Sequence, residues 1–466
     1  MSEVRRRDDE REDDHDPDGA HVHQYGRRPL AAAGPNGAGP AVLRRWARLD
    51  VGEASVSSHS GQAGGVVGQD GCVTNARRPP VPRNRADDHT EAQAATRREF
   101  VEQQTGIALR HVAHYSLDPA ATAGNTENVI GVAQVPIGLA GPLRVNGEHA
   151  HGEYYVPLAT TEGTLVASYN RGMRLLNEAG GVTTTVVDDR MQRAPVFVLR
   201  DARAARELGV WLREHVDEIR TAAQATTNVG RLIEIEQYAV GPMLYTRFDY
   251  TTGDAAGQNM VGRATWAACE WIAAHHPDHP RYVLSGAIDT DKKHSQINML
   301  RTRGKRVVAE ATLPAELLGE HMGVTPAQLF RARQYSQTGG FMAGSANNGA
   351  HAANGLAALF IATGQDVANV AESHAGMVYS QVTDDGDYYW SITLPALIVA
   401  TVGGGTGLAT QRECLQMLGC YGPGRAKAFA EICAAVVLAG EVSLSSAVIA
   451  GDWVSSHERL GRNRDT

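Results

Sequence analysis

The stretch from Arg231 to Tyr250, RLIEIEQYAVGPMLYTRFDY, decides the fold. Arg231–Tyr238 and Met243–Tyr250 alternate with the period of two expected of strands, and Val240-Gly241-Pro242 joins them. Upstream, Ala194–Leu199 (APVFVL) reads as a strand. Asp201 to Thr221 reads as a helix, with Asp201 as N-cap and Leu208, Val210, Trp211, Leu212 and Val216 on its apolar face. Downstream, Asn259–His275 is a second helix with Val261, Ala264, Ala268, Trp271 and Ile272 on one side, and Arg281–Leu284 opens a last strand. The order is β-α-β-β-α-β, the ferredoxin-like arrangement.

The flanks are richer in Gly, Ala and helical pattern. The chain is therefore expected to be α+β, with a large helix-rich domain (126–193 and 289–466) interrupted by the small unit (194–288). Residues 1–95 are rich in Arg, Asp, Gly, Ala, Pro and Ser with no lasting period, and read as a disordered extension. A helical segment over 96–125 follows, opening near Thr96.

Composition narrows the function. Of 466 residues, 42% are hydrophobic and 21% charged, an ordinary globular balance. A formal net charge of -8 argues against nucleic acid as the main partner, because phosphate backbones need a basic surface. The five cysteines (Cys72, Cys269, Cys414, Cys420, Cys433) form no CxxC pair, which reads as a reduced, cytoplasmic protein. No apolar run follows Arg5-Arg6-Arg7, so no secretory signal is expected. Ile432–Ala450 contains Glu441 and several serines and reads as a buried core helix, not a membrane span. His275, His276 and His279 sit in a Pro-rich stretch with poor ligand geometry, and no metal is expected.

Four sites carry chemistry. In ATTEGTLVAS (159–168), Glu162 is a lone carboxylate in an apolar run, where burial would raise its pKa and let it donate a proton; the plainer reading is a helix-start acid with Thr160 or Thr161 as cap. In Thr290-Asp291-Lys292-Lys293, paired ammonium groups beside a carboxylate suit an anionic substrate and an oxyanion, or a solvated turn. In TGQDVAN (363–369), following His351-Ala-Ala-Asn354, Asp366 reads as a partly buried acid or a helix cap. In TTGDAAGQNM (251–260), small residues precede a helix N-terminus, which attracts phosphate, and Asp254 has the chemistry to accept a ribose hydroxyl. No GxGxxG follows a strand, so a Rossmann site is not supported.

Together and in this order, these sites resemble HMG-CoA reductase. Glu127-Asn-Val-Ile-Gly131, VPIGLAGP (135–142), Thr401-Val-Gly-Gly-Gly-Thr406, Cys414-Leu-Gln-Met-Leu-Gly419 and Gly440-Glu-Val-Ser-Leu444 agree, over roughly residues 96–466. The set looks closer to the class I form shared with eukaryotes, without its membrane anchor. The resemblance implies reduction of HMG-CoA to mevalonate and CoA by NADPH, with NADH possible. It implies a large acyl-CoA-binding domain, an inserted dinucleotide-binding domain, and a homodimer with active sites between subunits. An alternative is a same-fold reductase acting on another acyl-CoA.

By motif, the resemblance makes Glu162 the proton donor at the aldehyde stage, Lys292 the cation facing the thioester carbonyl, and Asp366 the group between them. His457 would protonate the departing thiolate. Arg193, Ser285, Asp291, Lys293 and Asn354 would hold the acyl group, and Ser168, Asn170 and Arg171 would contact CoA. Asp254, Gly257, Asn259, Val402 and Gly403 would serve the dinucleotide. Glu162 near Asp366 would keep its proton, and Lys293 would lower the pKa of Lys292, offset by the acids. The sequence also departs from the pattern. Gln334 stands where a substrate-binding lysine is expected, with Arg331 or Arg333 as replacements. Ala287-Ile-Asp289 replaces Asn-Tyr-Cys, Asn228 replaces an arginine near the adenosine end, and Gly422–Arg425 lacks the usual acidic helix start.

Overall fold

The computed structural model describes residues 78–84, 86–454 and 458. Its strands are β1 (Ile137–Gly147), β2 (His151–Ala159), β3 (Val182–Arg193), β4 (Val196–Val198), β5 (Arg231–Val240), β6 (Met243–Thr251), β7 (Arg281–Val283), β8 (Gly304–Leu313), β9 (Met377–Val382) and β10 (Tyr388–Leu397). The α-helices are α1 (Glu91–Thr105), α2 (Leu165–Glu178), α3 (Ala202–Glu214), α4 (Val216–Gln224), α5 (Gln258–His275), α6 (Gln296–Leu300), α7 (Ala315–Met322), α8 (Pro326–Met342), α9 (Ala352–Thr363), α10 (Val370–Ser373), α11 (Ala409–Met417) and α12 (Ala426–Ala450).

Strand β3 runs through both halves of this α+β fold. Its start lies parallel to β1 and antiparallel to β8, within a layer ordered β2-β1-β3-β8-β10-β9. Its last residues, Met191–Arg193, pair with Tyr250–Phe248 of β6. Strand β6 belongs to a second layer, β7-β4-β6-β5, whose neighbouring pairs are all antiparallel. The element order β4-α3-α4-β5-β6-α5-β7 gives the ferredoxin-like topology. Phe197, Leu208, Leu212, Ile219, Phe248, Val261 and Ile272 form its core.

A separate core surrounds α12, in which Ile432–Leu438 is wholly buried. This helix is long and apolar enough to cross a membrane, yet 78% of its most apolar stretch lies inside the protein. It packs on α2 at backbone contact: a Cβ at Gly172 would come 1.9 Å from the Ala439 carbonyl oxygen.

Two boundaries differ from expectation. Helix α1 starts at Glu91, five residues before Thr96, because the Thr90 hydroxyl accepts from the Gln93 N–H and Ala94 is already buried. The helix predicted over 201–221 is two. It breaks at His215, whose ring stacks on Trp211 and bonds the Trp211 carbonyl through Nδ1. Asp201 does cap α3, accepting from the Ala204 N–H at 2.9 Å. Val210 faces solvent, since Leu208 and Leu212, one turn apart, define the buried side.

Candidate active site

The chain after β7 follows a backbone that its residues do not choose readily. Ala287, Thr290 and Lys292 all have positive φ (67°, 58° and 57°), each costing of order 1–3 kcal/mol unless the surroundings fix it. Buried partners fix it here. Asp289, 2% exposed, accepts from Arg193 Nη1 and Ser285 Oγ, both at 3.1 Å. Thr290 Oγ1 donates to Asn298 Oδ1 at 2.9 Å. Asp291 Oδ1 accepts from Gln258 Nε2 (3.0 Å) and from the fully buried Arg303 (2.6 Å). Arg303 also pairs with buried Glu372 at 2.8 Å, whose other oxygen accepts the Lys292 N–H at 3.0 Å. Lys293 Nζ donates to the Asp291 carbonyl at 3.0 Å.

This frame sets Lys292 Nζ 2.8 Å from Asp366 Oδ2. The pKa of Lys292 is raised, first by its hydrogen bond to Asp366 and against a smaller desolvation effect. The lowering expected from Lys293 is thus overturned: the carboxylates of Asp366, Asp291 and Glu372 all favour the charged ammonium. Burial pushes Glu372 up to about 7. Asp366 is exposed, not partly buried, and caps a short 3-10 turn by accepting from the Ala368 N–H at 3.1 Å. The framing residues Asp289, Arg303 and Glu372 carry no local signal in the sequence, because their partners are up to 111 positions away.

Glu162 belongs to a different constellation. Its N–H donates to Thr160 Oγ1 at 3.0 Å, and α2 begins only at Leu165, so neither Thr160 nor Thr161 caps that helix. Its carboxylate is exposed rather than buried, at the mouth of a cavity of about 550 Å³ lined by Ser168, Arg171, His351, Asn354 and Trp453. Asn354 Nδ2 donates to both Glu162 oxygens, at 3.0 and 2.9 Å. Ser443 of α12 holds the other wall: Ser168 Oγ lies 3.0 Å from its hydroxyl, and Arg171 Nη2 donates to its carbonyl at 2.6 Å. Asn170 Oδ1 accepts from the Gly141 N–H at 2.9 Å.

Helix α9 separates the two constellations. Asn354 lies in its first turn and Asp366 three residues beyond its end, and the helical stretch from Asn354 to Thr363 alone spans about 13 Å at 1.5 Å per residue. Among the described residues, Glu162 bonds neither Lys292 nor Asp366. The expected closeness of Glu162 and Asp366 is therefore not met within one chain, because Glu162 is held at the start of α9 and Asp366 follows its end. His457 lies outside the described residues.

The loop before α5 borders a third space, a cavity of about 690 Å³ lined by Gly257, Gln258, Asn259, Asp366, Val402 and Gly403. Gly257 (φ 82°) caps α5 with no side chain, so the first-turn N–H groups lack a side-chain acceptor there. A Cβ at Gly257 would lie 2.2 Å from Thr252 Cγ2. Asp254 is spoken for: its two oxygens accept from the Gly424 N–H (2.8 Å) and the Ala426 N–H (3.0 Å). It caps α12 from 172 residues away, supplying the acid that Gly422–Arg425 lacks. The histidines considered for a metal are engaged elsewhere, His275 with the Trp271 carbonyl and His279 with the Ala273 carbonyl.

Residues 93–462 match the family described as hydroxymethylglutaryl-coenzyme A reductase. The chain is 46% identical over 374 residues to 3-hydroxy-3-methylglutaryl-coenzyme A reductase of Pyrococcus abyssi, covering 78% of this chain and 92% of that one. It is 44% identical over 375 residues to the Methanocaldococcus jannaschii enzyme (78% and 92%). A solved class II HMG-CoA reductase from Streptococcus pneumoniae bound to NADPH shares the fold, with a TM-score of 0.58 at 19% identity over 76% of this chain and 97% of that one. The higher identity to the archaeal enzymes, and 38% to a cotton enzyme, Gossypium hirsutum, over 79% of this chain and 60% of that one, sets the sequence apart from the class II structures. With its ferredoxin-like insert and a Lys292–Asp366 pair held on a strained loop, the chain belongs to the hydroxymethylglutaryl-coenzyme A reductase family.

Proposed function

We propose that this protein reduces HMG-CoA to mevalonate and free CoA with two hydrides from NADPH, in a cytoplasmic homodimer whose active sites each draw on two chains. The observation that carries this reading is the division across α9: Glu162 with Asn354 at one end, Lys292 with Asp366 at the other. A two-fold partner related by an isologous interface would bring the Glu162 end of one chain to the Lys292 end of the other. Helix α8 supports such an interface, since Tyr335, Phe341 and Met342 are largely exposed and Phe341 borders a cavity of about 760 Å³. The buried free thiols Cys269, Cys414, Cys420 and Cys433 suit a reducing compartment.

Residues 194–288 would hold the dinucleotide and the flanking domain the acyl-CoA. The cradle at Gly257, Asn259, Val402 and Gly403 fits a dinucleotide: the uncapped first turn of α5 faces it, and added Cβ atoms at Gly403 and Gly404 would meet open space. The nicotinamide, when bound, supplies hydride. NADPH is favoured over NADH because the Streptococcus pneumoniae relative is described with NADPH. Asp254 would act as the cap that fixes this loop to α12.

Reduction of a thioester to an alcohol consumes two hydrides and two protons. Lys292, kept charged by Asp366, stabilises negative charge on the carbonyl oxygen, and one such fixed donor is worth about 3–4 kcal/mol. His457 gives the first proton to the departing thiolate, a task that suits an imidazole because its charge changes near neutral pH. Glu162, oriented by Asn354, gives the second to the aldehyde oxygen. Arg193, Ser285, Asp291 and Lys293 hold the acyl group, while Ser168, Asn170 and Arg171 contact CoA.

The test is a spectrophotometric assay with HMG-CoA, run in parallel with NADPH and NADH. The expected result is oxidation of two cofactor molecules per mevalonate, faster with NADPH. No oxidation dependent on HMG-CoA would overturn the reading.

A further inference from the structure

The Glu162 constellation is shaped by a group that does not reach the cavity. Glu441, on α12, is fully buried, and its oxygens accept from the Ala350 N–H at 2.8 and 2.9 Å and from the His351 N–H at 2.6 Å. These are donors at the start of α9, where His351 occupies the cap position with no side-chain cap of its own. A helix start buried without acceptors is costly, so a carboxylate from another helix satisfies it. The Tyr169 hydroxyl donates to the His351 carbonyl at 2.5 Å, and its ring stacks on the His351 imidazole at 4.8 Å. The first turn of α9 is thereby gripped from α12 and from α2. Asn354, which alone among the described side chains bonds the Glu162 carboxylate, stands on that turn.

We infer that Glu441 is a positioning residue for the reaction, acting through the first turn of α9 and Asn354 to set the Glu162 carboxylate. This rests on the reductase reading above. Two residues further along α12, Ser443 holds Ser168 and Arg171, so one helix turn fixes both walls of the same cavity. Glu441 touches neither substrate nor cofactor, and it does not donate the proton. Its part is to determine where the proton donor stands, and displacements of about 1 Å in such a group are known to cost up to roughly 100-fold in rate.

The test is a double-mutant cycle on kcat with the full chain, HMG-CoA and NADPH. Glu441→Gln puts an amide donor against backbone N–H groups and should lower kcat about 10-fold or more, with KM for NADPH unchanged. Asn354→Ala should lower kcat similarly. The double variant should fall no more than about 3-fold below Asn354→Ala alone, because both act on one group. A purely structural role predicts additive losses, and additivity would overturn the inference. If Glu441→Gln does not fold, Gly349→Ala replaces it in the cycle, since the new Cβ would lie 3.1 Å from Glu441 Oε1 and displace it slightly. A Gly349→Ala chain with wild-type kcat and intact folding would equally contradict the role. Wild-type protein inactive on HMG-CoA would remove the reductase reading and this inference together, whereas active wild type with additive losses would remove the inference alone.

Discussion

Lys292 Nζ lies 2.8 Å from Asp366 Oδ2, and this contact joins the loop after β7 to the turn after α9. Asp366 is the largest cause of the raised Lys292 pKa. Asp366→Asn should lower that pKa, so the alkaline limb of the kcat/KM profile should move to lower pH. The rate at neutral pH should drop about tenfold or more. An alkaline limb unmoved in the variant would show that Lys292 does not set it.

Glu372 supports a second pH prediction. Burial raises its pKa from 4.5 to about 7, so the folded chain holds this proton more tightly than the unfolded chain. The stability it contributes is therefore present at low pH and declines as pH rises from about 4.5 to about 7. Glu372→Gln cannot titrate. Its stability in urea should vary less across that window than wild type's. At pH 7, where wild type has lost most of this contribution, the stability gap between wild type and variant should be smaller than at pH 4.5. A steeper pH dependence in the variant would contradict the assignment.

Asp254→Ala should destabilise the protein by about 1 kcal/mol, the usual loss for a helix cap, seen as a lower melting temperature without cofactor. An unchanged melting temperature, with weaker NADPH binding, would favour a direct ligand role.

His457→Ala should spare reduction of the free aldehyde more than reduction of the thioester, since only the thioester releases a thiolate. Equal losses on both substrates would contradict the protonating role.

Much of this was legible in the sequence. The alternation over 231–250 and the apolar faces of 201–221 and 259–275 gave the ferredoxin-like order, because strand and helix periods are local. The quartet Thr290–Lys293 and the run around Asp366 marked groups that the fold brings into contact. What was not legible depends on distant partners. Glu162 reads as buried because its neighbours are small and apolar, yet it stands exposed at a cavity mouth. Asp254 reads as a ligand because it sits in a glycine-bearing loop, yet its acceptors serve α12. Glu441 marks 432–450 as a core helix rather than a membrane span, but its partners, the N–H groups of Ala350 and His351, lie some ninety residues away and leave no local signal.

The most direct measurement is complementation between two inactive variants. Glu162→Gln and Lys292→Ala should each abolish reduction of HMG-CoA while unfolding near the wild-type temperature, as both side chains are at least partly exposed. A two-chain site predicts that mixing and reassociating the two variants restores about a quarter of wild-type activity, because half the dimers are mixed and each mixed dimer holds one intact site of two. No recovery from mixtures shown to contain mixed dimers would contradict it, and would mean that Glu162 and Lys292 must serve from the same chain.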